Sequence, residues 1–201
     1  MTAIGTTAIS TTIKNTDVFL IAGTVRIDDL KAFLARIREI AERTGVSVQG
    51  FNAKKIGGKR HIFYAVERAL DAFEKNENEA KDRGLEIMRF ASGQRQIEKA
   101  FSMGLCEGET DCLFVLTGKD GTRTENAIEE VAGLIAEKDF DDVVDPVRNK
   151  RFVTEQFGIT EKEIAAAYPG DAETENMTQD VEKRLLEDLI MERTALVGYI
   201  K

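Results

Sequence analysis

The run DCLFVLTGKDG, Asp111 to Gly121, decides the fold. Leu113 to Leu116 is continuously apolar, too short for an ordinary helix, and it ends in Gly-Lys-Asp-Gly, residues that favour a turn. It reads as a buried strand. Outward from it, DVFLIAGTV (17–25) reads as a second buried strand by its β-branched and aromatic content, and VSVQGF (46–51) alternates as a third. Between those two, Leu30, Phe33, Leu34, Ile37, Ile40 and Ala41 recur at helical spacing, with Asp28 or Asp29 as the cap and Gly45 as the stop. Past Gly57-Gly58, a second helical stripe holds Ile62, Phe63, Val66, Ala69, Leu70 and Phe73.

Further strand and helix expectations complete the pattern. LEIMRFASG (85–93) reads as a strand, with Leu85, Ile87 and Arg89 on one face and Glu86, Met88 and Phe90 on the other. Residues 94–103 read as a helix with Ile97, Ala100 and Phe101 inward, and 127–136 as another with Ile128, Val131, Leu134 and Ile135 inward. Beyond these, ITEKEIAAAY and QDVEKRLLEDLIM read as short helices, and RTALVGYIK (193–201) as a strand returning to the sheet. The expected class is α/β: a single-domain sandwich with a central mixed β-sheet and helices packed on it. Residues 1–16 are expected to be a flexible start or an edge strand, and 17–201 one domain carrying an acidic insertion around 137–180.

With 201 residues the chain can bury roughly 70% of its unfolded surface, so neither a disulfide nor a metal is needed for folding. Cys106 and Cys112 match no zinc spacing and read as small hydrophobes in a reducing compartment. No apolar stretch approaches the about 20 residues of a membrane helix, and a cytoplasmic protein without a membrane partner is expected. The net charge of -8 argues against nucleic acid. Its distribution argues the other way, because 52–68 carries Lys54, Lys55, Lys59, Arg60 and Arg68 against Glu67 alone.

Catalytic equipment is sparse. KKIGGKR lacks the glycine spacing and the Ser or Thr of a phosphate-binding Walker loop. His61 is the single histidine, beside inward Ile62 and Ala65, and reads as a satisfied core or boundary residue. An enzyme would have to be built on His61 and Glu86, and would show a deep pocket with a titrating imidazole near a carboxylate. A dimerisation module would instead expose an apolar patch and lack salt-dependent RNA affinity. Neither a cofactor nor a metal is expected.

HIFYAVERALDAF, LEIMRFASGQRQIEKAFSMGL and MERTALVGYIK together resemble the PRPK-binding-protein family, the small regulatory subunit of the KEOPS complex. The resemblance rests on His61, Ala65, Ala69, Glu86, Ser92-Gly93, Arg95-Gln96-Ile97, Ala100, Gly104, Glu192-Arg193 and Ala195-Leu196. It implies a non-catalytic subunit that binds the PRPK-type small kinase and helps recruit tRNA by its 3′ CCA end, for threonylcarbamoyladenosine formation beside the anticodon. On that implication the residues expected to contact RNA are Lys59, Arg60 and Arg95, with Lys54, Lys55 and Gln96 beside them. The bland alternative has Ser92 capping the following helix while Gln94 and Gln96 satisfy loop carbonyls. The kinase surface is left open.

Overall fold

The computed structural model describes residues 8–168 and 177–198. Its centre is a long antiparallel pair, β2 (Thr16–Ile27) with β4 (Gly108–Gly118), in register from Asp17 opposite Gly118 to Ile27 opposite Gly108. On the far side of β4 lies β3 (Ser47–Asn52), and on the far side of β2 lies β1 (Ile9–Ile13). On the same edge of β2, past the end of β1, the short β5 (Ala136–Glu137) pairs with Gly23 and Thr24. Lys14 and Asn15 form the two-residue β1–β2 turn, both at positive φ (50° and 56°), as a type I′ turn demands.

Every described ladder is antiparallel, so the sheet is not the mixed one expected from the interleaved elements. The reason is topological. Helix α1 (Leu30–Thr44) carries the chain from β2 back to start β3 in the same direction, but β3 lands one position away and β4 fills the gap between them. Asp29 caps α1 by accepting from the Ala32 N–H at 2.9 Å, and Gly45 at φ +70° ends it.

Helices cover both faces, giving the α/β sandwich. Cys112, Phe114 and Leu116 of β4 face one core, formed with Ile37 and Ile40 of α1 and Ala127, Ile128 and Val131 of α5 (Gly121–Ala132). Leu113 and Val115 face the other, where Ile62, Val66 and Ala69 of α2 (Lys59–Lys75) meet Ile87, Met88 and Phe90 of α3 (Arg83–Ala91). A strand buried on both sides has no polar face, which is why Leu113–Leu116 does not alternate. The remaining helices are α4 (Ile97–Ala100), α6 (Phe140–Val143), α7 (Lys150–Phe157), α8 (Glu161–Ala167) and α9 (Gln179–Leu196). Phe140, Val143, Val153, Phe157 and Ile164 from the acidic region, with Leu186 and Ile190 of α9, join the second core.

Several sequence expectations are corrected. Residues 83–91 are helical, and Glu86 lies on α3 rather than in a strand. The helix expected over 94–103 is reduced to α4 and one 3-10 turn, with Phe101 54% exposed instead of inward. The segment after Arg193 continues α9 to Leu196 rather than returning to the sheet; residues 199–201 lie outside the described ones. Helix α5 ends at Ala132, before half-buried Leu134 and Ile135. Cys106 is exposed, whereas Cys112 is buried and its thiol pushed up to about 12, chiefly by burial.

Glu86 is fully buried on α3 and is held by the Arg89 guanidinium, whose Nε donates to Glu86 Oε2 at 3.1 Å; the Ala80 N–H donates to the same oxygen at 2.9 Å. Replacing Arg89 by Ala leaves a carboxylate without its cation in a dry interior, an expected loss of about 3–5 kcal/mol in urea unfolding. A Glu86→Gln, Arg89→Met pair should lose clearly less. Equal losses in the two variants would show that the ion pair is not what the site depends on.

Candidate nucleotide-binding clefts

The corner at residues 92–96 is built by the end of α3. Ser92 donates its hydroxyl to the Arg89 carbonyl at 2.8 Å, and the same oxygen accepts from the Gln94 N–H at 3.2 Å. Gly93, at φ +66°, turns the chain; a side chain there would be strained and would also crowd Phe157. Ser92 therefore closes the preceding helix rather than capping the next. Helix α4 begins only at Ile97, with Gln96 at its N-cap and no side-chain cap bond.

Below the corner stands His61. It is buried completely, its Nδ1 accepts from the Gly57 N–H at 3.0 Å, and its Nε2 lies 2.8 Å from the Ala91 carbonyl. An accepting Nδ1 and a donating Nε2–H define the neutral tautomer. Phe157 meets the ring edge-on at 5.4 Å. The reading of His61 as a satisfied core residue matches this geometry.

Two clefts adjoin the corner and share Gln94 and Lys99. The first, of about 660 Å³, is bordered by Arg68, Lys75, Arg89, Arg95, Gln96 and Lys99, with Asp71, Glu77 and Glu79 opposing them. Arg95 is exposed and makes no hydrogen bond or ion pair among the described residues. The second cleft, of about 620 Å³, is bordered by Lys55, Glu98, Ser102, Phe152, Glu155 and Gln156. Neither His61 nor Glu86 lines either cleft.

The basic residues singled out in the sequence are thus divided. Arg95 and Gln96 border the first cleft and Lys55 the second, where its Nζ donates to the Ser102 carbonyl at 2.6 Å. The Lys54 ammonium sits 5.7 Å from the Phe152 ring centroid. Lys59 and Arg60 lie elsewhere, at the start of α2, facing acidic partners. Lys59 pairs with Asp141 at 2.9 Å, and Arg60 pairs with Asp188 at 3.1 Å and with Glu187 at 3.9 Å. Burial raises the Glu187 carboxyl above the usual carboxylate range, against the opposing pull of Lys183 and Arg60. Phe152, Glu155 and Gln156 were not read as site residues. Their signal is the i, i+3, i+4 spacing, which puts them on one face of α7.

Among the described residues no group of three or more His, Cys, Asp or Glu is placed to hold a metal ion, and no helix is long and apolar enough to cross a membrane. What fold and clefts define together is an α/β protein with an antiparallel core sheet that presents cations, amides and an aromatic ring beside one rigid corner. The family described as kinase binding protein CGI-121 matches residues 27–198, and the chain belongs to that family of kinase-binding proteins. A comparison with curated proteins found no match.

Burial lowers the His61 pKa to about 4 from an ordinary 6.5, outweighing the opposing hydrogen bond to Ala91. The unfolded chain takes up this proton first as pH falls, so the stability contributed by neutral His61 is complete above about pH 6.5 and is lost progressively down to about pH 4, roughly 3 kcal/mol in all. As the single histidine, its imidazole resonances are unambiguous. A titration midpoint near 4 in the folded protein is expected; one near 6.5 would show that the ring is open to solvent.

Proposed function

We propose that this kinase-binding protein is a non-catalytic, cytoplasmic subunit of a KEOPS-type complex. It binds the PRPK-type small kinase and recruits tRNA by its 3′ CCA end, for threonylcarbamoyladenosine formation beside the anticodon. The observation that carries the RNA half of this reading is the exposed Arg95, without a partner among the described residues, on a corner fixed by Ser92 and Gly93, with Lys99 in the adjoining clefts. A guanidinium without an internal carboxylate is free to meet a phosphate, and a flexible single-stranded end can thread a polar cleft that a duplex cannot enter.

In this reading Arg95, Gln96, Lys54 and Lys55 make the first contacts. Lys59 and Arg60 join only by leaving Asp141 and Asp188. A small-molecule enzyme on His61 and Glu86 draws no support from the geometry, since each is buried and satisfied by other partners. Among the described residues the exposed large apolar side chains are Leu34, Phe101, Phe152 and Leu196, and a dimerisation module would have to gather its apolar patch from these.

Binding of purified protein to full-length tRNA and to tRNA lacking CCA, across a salt series, tests the reading. Affinity should fall when CCA is removed, and Arg95→Glu should weaken binding and reduce the single-strand salt slope by about 0.7. Indifference to both changes would refute tRNA-end recruitment by this subunit.

A further inference from the structure

We infer that β1 is a docking edge for a second copy of this chain, the two β1 strands pairing antiparallel about Thr11 so that one sheet runs through both copies. The inference is independent of the tRNA-end reading, since no β1 residue borders either cleft.

The backbone supplies the bonds. The two-residue turn at Lys14 and Asn15 makes Ile13 and Thr16 the first hydrogen-bonded pair of the hairpin, and alternation along the ladder then directs the N–H and C=O groups of Thr11 and Ile9 to β2 as well. Those of Ser10 and Thr12 point away from the sheet, and among the described residues no backbone group meets them. Residues 10–12 are all exposed. An edge strand is ordinarily protected by a charge, a proline or a bulge. ISTTI contains neither charge nor proline, and its register against β2 runs without a bulge from Ile13 to Ile9.

The symmetry of the segment selects a second copy over a foreign strand. From either end, ISTTI reads as an isoleucine, a hydroxyl residue, a threonine, a hydroxyl residue and an isoleucine. With Thr11 on a two-fold axis, Ser10 of each copy faces Thr12 of the other and exchanges both backbone bonds with it. Ile9 of each copy then faces Ile13 of the other. Both isoleucines are half-buried against the core built by α2 and α3, so pairing covers the apolar surface that each leaves exposed. Thr11 meets its own counterpart in a non-hydrogen-bonded pair, about 4.5 Å between Cα atoms. Lys14 falls opposite Ala8, and its charge is already answered by Asp71 and Glu74, so no like charges confront one another. The contact is made chiefly by backbone and needs no large apolar patch. An edge this short buries little area, so the dimer is weak and concentration-dependent.

Sedimentation velocity of the full chain over a concentration series, at low salt, tests the inference. The mass should climb from that of one chain toward that of two. Thr11→Lys and Thr11→Glu change an exposed side chain and leave the β1–β2 bonds in place, so the thermal unfolding midpoint of the dilute protein should not move. Each variant alone should weaken self-association about tenfold, because like charges then meet on the axis. An equimolar mixture of the two should restore it. A single-chain mass at every concentration would overturn the inference and leave the edge to a strand of another protein. A dimer indifferent to both charges, or a mixture that fails to recover, would overturn it by placing the contact elsewhere.

Discussion

Two backbone groups deep in the protein, the Gly57 N–H and the Ala91 carbonyl, face no water, and one imidazole satisfies both. The consequence reaches beyond the two bonds. Gly57 belongs to the loop that starts α2, and Ala91 ends α3, so His61 holds the two helices that build the second core at a fixed separation. Because the corner at 92–96 leaves directly from Ala91, its position is inherited from that link. A charged imidazolium would lose the acceptor at Nδ1, and burial disfavours the charge as well. The tautomer, the helix pair and the corner are thus one arrangement.

The parts of the fold legible in the sequence are those with a single unambiguous period. Helix α1 shows a one-sided stripe between a capping Asp and a terminating Gly, and β2 and β4 each hold a continuous apolar run rich in strand formers. Residues 83–91 were misread because nearly all of α3 is buried, including Glu86 and Arg89. A helix surrounded by protein has no polar face, so its apolar residues fall on alternating positions as easily as on helical ones. The mixed sheet failed for a different reason: which strand fills the gap between β2 and β3 is a property of distant pairing.

The candidate site was legible in its charges and opaque in its grouping. Arg95 and Gln96 stood out beside a Ser-Gly corner, and the basic island at 54–60 was conspicuous in an acidic chain. Folding divides that island by delivering Asp141 from α6 and Asp188 from α9 to Lys59 and Arg60, across 82 and 128 residues of sequence. Local composition is silent about such partners. The aromatic wall was hidden too, since Phe152 looks like an ordinary core residue until α7 turns Val153 and Phe157 inward and leaves it outside.

Helix α9 lies so close to Gly57 that a β-carbon there would fall 2.6 Å from Ile190 Cδ1. The loop that begins α2 is therefore completed by a helix from a distant part of the sequence. Until α9 docks, the α2 loop has no lid at Gly57, the residue whose N–H the His61 ring accepts. A chain lacking Ile190 would lack this closure, so the loss of a distant helix would be felt at the corner that His61 positions.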